Sequence, residues 1–153
     1  MHFPQIPGHA AETPVSFFFE DAAEFEFGDE AALSDWLVGV AVAEKVPFHE
    51  LSVIFCSDER LREINVEFLQ HDYYTDIITF PYSDDAVHGD LFISVERVAD
   101  NAAQLNVPFR QELCRVLAHG VLHLCGYGDK TPEETVRMRE MENKYLALLS
   151  PTV

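Results

Sequence analysis

Two histidines, His119 and His123, stand four residues apart inside a segment, Phe109 to Leu124, whose apolar residues recur at helical spacing. Four steps of roughly 100° leave the two rings about 40° apart around the axis and ~6 Å apart along it. Both imidazoles then project from one side, while Leu113, Val116, Leu117, Val121 and Leu124 make an apolar stripe on the other. Any fold of this chain must bury one face of that helix and keep the other accessible. Gly126 and Gly128 follow, and such residues let a chain leave a helix and turn back sharply. The return brings Asp129 toward the histidine pair. Two imidazoles and a carboxylate suit a small divalent cation, with Zn–N bonds of ~2.0–2.1 Å and Zn–O bonds of ~2.0–2.2 Å. Cys125 is another candidate for the third ligand, although its azimuth on a continued helix favours a packing role. In the metalloprotease pattern H-E-x-x-H the residue after the first histidine is the general base. Here it is Gly120, which weakens a peptidase reading.

The rest of the chain supplies the frame. Residues 1–14, with Pro4, Pro7, Gly8 and Pro14, read as a flexible leader, and 15–150 as one domain. Strands are expected at Val15–Glu20, Leu51–Cys56, Asp76–Tyr82 and Asp90–Ser94, the last two joined by a polar Ser83–Gly89 connection. That connection places His88 outside a strand, as His71 is, and neither histidine reads as a ligand. Helices are expected from about Glu30 to Glu44, capped by Asp29, and after Ser57 or Asp58, carrying Leu61, Ile64, Asn65 and Phe68. Two more cover Glu96–Asn106 and Phe109–Leu124. The last opens on Thr131-Pro132-Glu133-Glu134, a capping box with proline at the first helical position, and runs to about Leu149, with Met138, Met141 and Leu146 as core. The pattern is α+β: about four strands, with helices packed on them and the metal-site helix in the C-terminal half.

Charge narrows the partners. The chain has 153 residues, 27 acidic against 10 basic, for a formal charge of -17. Such a field repels phosphate backbones, so indiscriminate nucleic-acid binding is excluded and a nucleic-acid partner needs a local basic or metal-centred patch. Lys45 is the only Lys or Arg before Arg60, which puts any such patch in the later part of the chain. Cys56, Cys114 and Cys125 are an odd, widely spaced set, as expected in a reducing compartment. With no secretory pattern at the start and no apolar run of ~18 residues, a soluble cytoplasmic protein is expected.

The segment His119 to Asp129, H-G-V-L-H-L-C-G-Y-G-D, resembles the signature H-G-x-L-H-L-x-G-Y-D-H of the YbeY family of rRNA-maturation endoribonucleases. Thr75 to Pro81 is similar to the family's T-D-V-L-S-F-P, Gly89 to Ser94 to its G-D-I-x-I-S, and Ile64-Asn65 through Asp72 to the stretch before them. The resemblance spans roughly residues 50–148. It implies a mixed sheet, one Zn2+ or another divalent transition metal held by His119, His123 and Asp129, and metal-dependent cleavage of single-stranded RNA. It further implies maturation of small-subunit ribosomal RNA and ribosome quality control, with the small ribosomal subunit as partner and neither DNA nor membrane. The alternative is a ribosome-assembly factor with a structural metal and little nuclease activity. Two positions depart from the family pattern. Asp129 stands where the family has its third histidine, with Gly128 in place of the preceding aspartate. Leu69 stands where the family commonly has an arginine, a natural phosphate partner. Arg115, one turn before His119, and Lys130, beside Asp129, are the catalytic candidates to replace it, with His119 and His123. Asp76 and Asp90, at strand starts, are candidates to orient the site.

Overall fold

The computed structural model of the protein describes residues 14–149, so the expected leader lies, apart from Pro14, outside the described residues. The chain runs β1 (Val15–Phe19), α1 (Glu30–Ala43), β2 (Phe48–Cys56), α2 (Asp58–Leu69), β3 (Ile77–Pro81), β4 (Val87–Ser94), α3 (Val95–Leu105), α4 (Phe109–Leu124) and α5 (Pro132–Leu146). The four strands form one sheet in the order β1-β2-β4-β3. β1 and β2, and β2 and β4, run parallel, because the connections between them carry helices. β3 and β4 are antiparallel and joined by the short segment 82–86. The result is the expected α+β fold on a mixed sheet.

Local side chains start the helices. Asp29, Ser57 and Ser94 each accept a hydrogen bond from a backbone N–H three residues on, at 3.0–3.1 Å, and so cap α1, α2 and α3. Alternation along the strands then sorts side chains onto the two faces of the sheet. Leu51, Val53, Phe55, Leu91 and Ile93 join the main core with α1, α4 and α5. Cys56, Ile78 and the flanking Phe80 and Phe92 make a smaller cluster with Leu61 and Ile64 of α2 on the other face. The expected stripe of α4, Leu113 to Leu124, is buried, as are Met138 and Met141 of α5.

Several boundaries differ from the sequence expectation. β4 begins at Val87, three residues before Asp90, because Gly89 is not a turn residue. It pairs with Leu51 and Pro81 inside the sheet, where a Cβ would run into the Phe80 carbonyl and lie 3.2 Å from Leu124. His88 therefore belongs to a strand. Its Nδ1 lies 3.2 Å from that of His49, from the similarly early start of β2. α5 ends at Leu146, short of Leu149. Phe68, expected with the apolar face of α2, is exposed.

Candidate metal centre

α4 lies between the sheet and its neighbours, touching α1, α3, α5, β3 and β4. Gly120 is what allows that approach: a Cβ there would lie 2.7 Å from both terminal methyl groups of buried Leu91 and 3.0 Å from Ile77. The position that bears the general base of H-E-x-x-H is here packed against the sheet, with no room for a glutamate. His119 and His123 sit on the half-buried side of the same helix, their rings 4.8 Å apart and nearly perpendicular.

The turn after α4 is built to return. Gly126 adopts φ 109°, a conformation that favours glycine, and Tyr127 N–H donates to the Leu122 carbonyl at 3.0 Å as the helix closes. Gly128 passes against the Glu134 carboxylate, which a Cβ would meet at 2.6 Å, so a side chain at this position would displace Glu134. Glu134 accepts from Lys130 N–H at 3.0 Å and Thr131 N–H at 3.1 Å, completing the capping box of α5. Thr135 Oγ1 donates to the Asp129 carbonyl at 3.2 Å. The start of α5 thus fixes the backbone that carries Asp129.

Asp129 Oδ2 lies 3.4 Å from His119 Nε2 and 3.3 Å from His123 Nε2. One ligand atom from each of the three residues falls within 4.8 Å of the others. Ligand atoms about 2.05 Å from a tetrahedral ion lie ~3.3 Å apart, whereas N–H···O hydrogen bonds centre near ~2.9 Å. The spacing and the borderline donor set both suit a transition-metal dication. Cys125 stays outside this group. Burial, with the charge of Glu44, pushes its thiol up to about 11, and it packs against the core.

Behind the histidine pair lies a charged assembly that the histidine pattern does not announce. Glu142 of α5 is 2% exposed, and its Oε2 is 2.8 Å from His119 Nδ1. A carboxylate there accepts the Nδ1 proton and leaves the Nε2 lone pair facing Asp129, the tautomer a metal needs. Burial alone would raise the Glu142 carboxyl, but the hydrogen bonds from His119 and Arg115 outweigh it and hold it below its usual range. Arg115 Nη1 donates to Glu142 Oε1 at 2.9 Å, Nε donates to Glu112 Oε1 at 2.8 Å, and Nη2 donates to Glu112 Oε2. Its guanidinium is therefore occupied by two buried carboxylates rather than presented to a phosphate. Glu142 was legible in one respect: it falls on the buried stripe of α5 with Met138, Met141 and Tyr145, where a carboxylate needs a partner.

A cleft of about 520 Å3 opens on the centre. Its lining includes His119, His123, Asp129 and Lys130, together with Leu69, His71, Tyr73 and Asp76. Leu69, at the family's arginine position, does face this space. Asp76 is half-buried, and desolvation raises its carboxyl while the charges of His119 and Arg115 pull the other way; Asn101 donates to it at 3.3 Å. Asp90 is apart, accepting from the Tyr82 hydroxyl.

A family model described as "Endoribonuclease YbeY" matches residues 20–150. The chain belongs to the YbeY endoribonuclease family. Its YbeY relatives include the Endoribonuclease YbeY of Flavobacterium johnsoniae, 48% identical over 135 residues, covering 88% of this chain and 96% of that protein. That of Phocaeicola vulgatus is 51% identical over 116 residues, 75% of this chain and 84% of the relative. A Thermotoga maritima protein known from its solution structure is similar in fold, with a TM-score of 0.63, 28% identity and coverage of 88% of both chains. Against the YbeY signature, the aspartate in place of the third histidine reaches the same point as the two imidazoles, and the glycine before it makes way for Glu134. No described helix is long and apolar enough to cross a membrane.

Proposed function

We propose that this protein is a metal-dependent endoribonuclease that hydrolyses single-stranded RNA, acting in the cytoplasm on small-subunit ribosomal RNA in maturation and ribosome quality control. The observation that carries it is the convergence of His119 Nε2, His123 Nε2 and one Asp129 oxygen, 3.4 and 3.3 Å apart, at the edge of an open cleft. These three residues would hold the ion, with zinc favoured by the two His–Asp separations and the nitrogen–oxygen donor set. A divalent cation there supplies Lewis-acid polarisation of a phosphoryl oxygen and water activated near neutral pH.

The chain's own residues do the rest. His119 and His123 direct lone pairs into the cleft, and Glu142 holds the His119 proton on Nδ1. Arg115 is a positioning residue: it offsets the charge of Glu142 and Glu112, so that Glu142 stays ionised without adding an unpaired buried charge. Lys130 is the lysine or arginine in the cleft lining and the natural partner for a phosphate beside the ion. The chelator-sensitive cleavage of single-stranded ribosomal RNA by purified protein tests this reading. Wild type should cut, and chelated protein and His123→Ala should not. Leu69 and the engagement of Arg115 favour a second reading, an assembly factor with a structural metal, which absence of cleavage at any metal loading would support.

A further inference from the structure

We propose that His71 and Tyr73 form a stacking platform for unpaired bases of the RNA cut at the neighbouring metal centre, an assignment that rests on the endoribonuclease reading. The two rings already stack on each other, with centroids 5.2 Å apart and planes 18° from parallel. Tyr73 Oη and His71 Nδ1 share a hydrogen bond of 2.9 Å, which holds the pair as a unit. Both residues are nonetheless exposed, Tyr73 by 54%, so the pair is not there to fill the core.

The segment that carries them is fixed from below. Asn65, 1% exposed, accepts the His71 backbone N–H on its main-chain carbonyl at 3.0 Å and donates from its side-chain Nδ2 to the Tyr73 carbonyl at 3.0 Å. One buried residue whose main chain holds His71 and whose side chain holds Tyr73 keeps an exposed aromatic pair in one place, which lowers the entropy cost of stacking a ligand on it. The pair lines the same cleft as His119, His123 and Asp129.

Electrostatics say why a base is the occupant. Among the lining residues Lys130 is the single Lys or Arg, and Arg62 of α2 is held by Asp72 at 2.8 Å and Glu59 at 3.3 Å. With a formal charge of -17 on the chain, the phosphate backbone finds no cationic side chain in this cleft besides Lys130, beside the proposed ion. Every base offers a π-face, and stacking on an aromatic side chain supplies affinity that charge does not. A duplex hides those faces, so the platform would also enforce a preference for single strands.

The test uses the zinc-loaded full chain, with initial rates on a single-stranded RNA oligonucleotide and fluorescence anisotropy on its 2′-O-methyl counterpart. Tyr73→Ala should raise KM and Kd about tenfold, while Tyr73→Phe and Tyr73→Trp stay within about threefold of wild type. The logarithm of the binding constant should fall with the logarithm of salt at a slope near −0.7, the value of about one phosphate contact on a single strand. Tyr73→Ala that binds like wild type, a tryptophan that fails to rescue, or a salt slope steeper than about −3 would overturn the platform. RNA cutting with an unchanged KM in Tyr73→Ala would remove the platform and leave the nuclease standing. Tyr73-dependent binding with no cleavage at any metal loading would do the reverse.

Discussion

Two parts of one cleft are held in place by different means. Where α4 and α5 line it, His119 and Asp129 are fixed by buried charge and by the start of a helix: Glu142 and Arg115 behind the imidazole, Glu134 and Thr135 around the turn. Where the end of α2 and the segment before β3 line it, Leu69, His71 and Tyr73 are exposed, and one neutral buried amide, Asn65, anchors the backbone. On the proposed reading, the difference matches what each part must tolerate. A metal site fails if its ligand atoms drift by a fraction of an ångström, whereas a surface that meets a polymer works across a range of poses.

Gly120 is the position most sensitive to substitution. Gly120→Glu would force an ionised side chain against Leu91 and Ile77, adding overpacking to an unpaired buried charge. A loss of more than about 4 kcal/mol is expected, read as loss of the cooperative thermal transition. Glu142→Gln is the next largest. It leaves His119 without an ionised acceptor and Arg115 with Glu112 alone, and should cost about 3 kcal/mol in denaturant unfolding. Its metal affinity should fall roughly 10–100-fold in competition with a chromogenic chelator. Equal stability and affinity in this variant would mean that the buried charges do not support the ligands. The smallest effect is on the exposed part. Leu69→Arg, at a site 41% exposed, should leave stability within about 0.5 kcal/mol. It should tighten single-stranded RNA binding and steepen the salt slope by about 0.7, since one arginine adds one phosphate contact.

That His119, His123 and Asp129 come together was readable from the residues, and the reasons are local. The four-residue spacing of His119 and His123, the glycines after them, and the Thr131-Pro132-Glu133-Glu134 start of α5 act within a turn or two of chain, where helical geometry dictates position. The exceptions arise from distant neighbours. Gly89 looks like turn punctuation, and its pairing with β2 and β3, with Phe80 and Leu124 close by, makes it a strand residue. Arg115 lies one turn before His119 as expected, yet Glu142, 27 residues further on, takes part of its donor set. Nothing near Arg115 in sequence announces that long-range partner. The stacked His71 and Tyr73 likewise depend on how Asn65 ties the loop, a bond that residue types alone do not specify.

On the proposed reading, His119, His123 and Asp129 grip one ion. Zinc-loaded protein dialysed against metal-free buffer, then analysed for its elemental content, tests it most directly, with Asp129→Ala, Asp129→His and His123→Ala alongside. One ion per chain is expected in wild type and in Asp129→His, a reduced content in Asp129→Ala, and none in His123→Ala. Wild type that retains no ion, or His123→Ala that retains a full one, would contradict it.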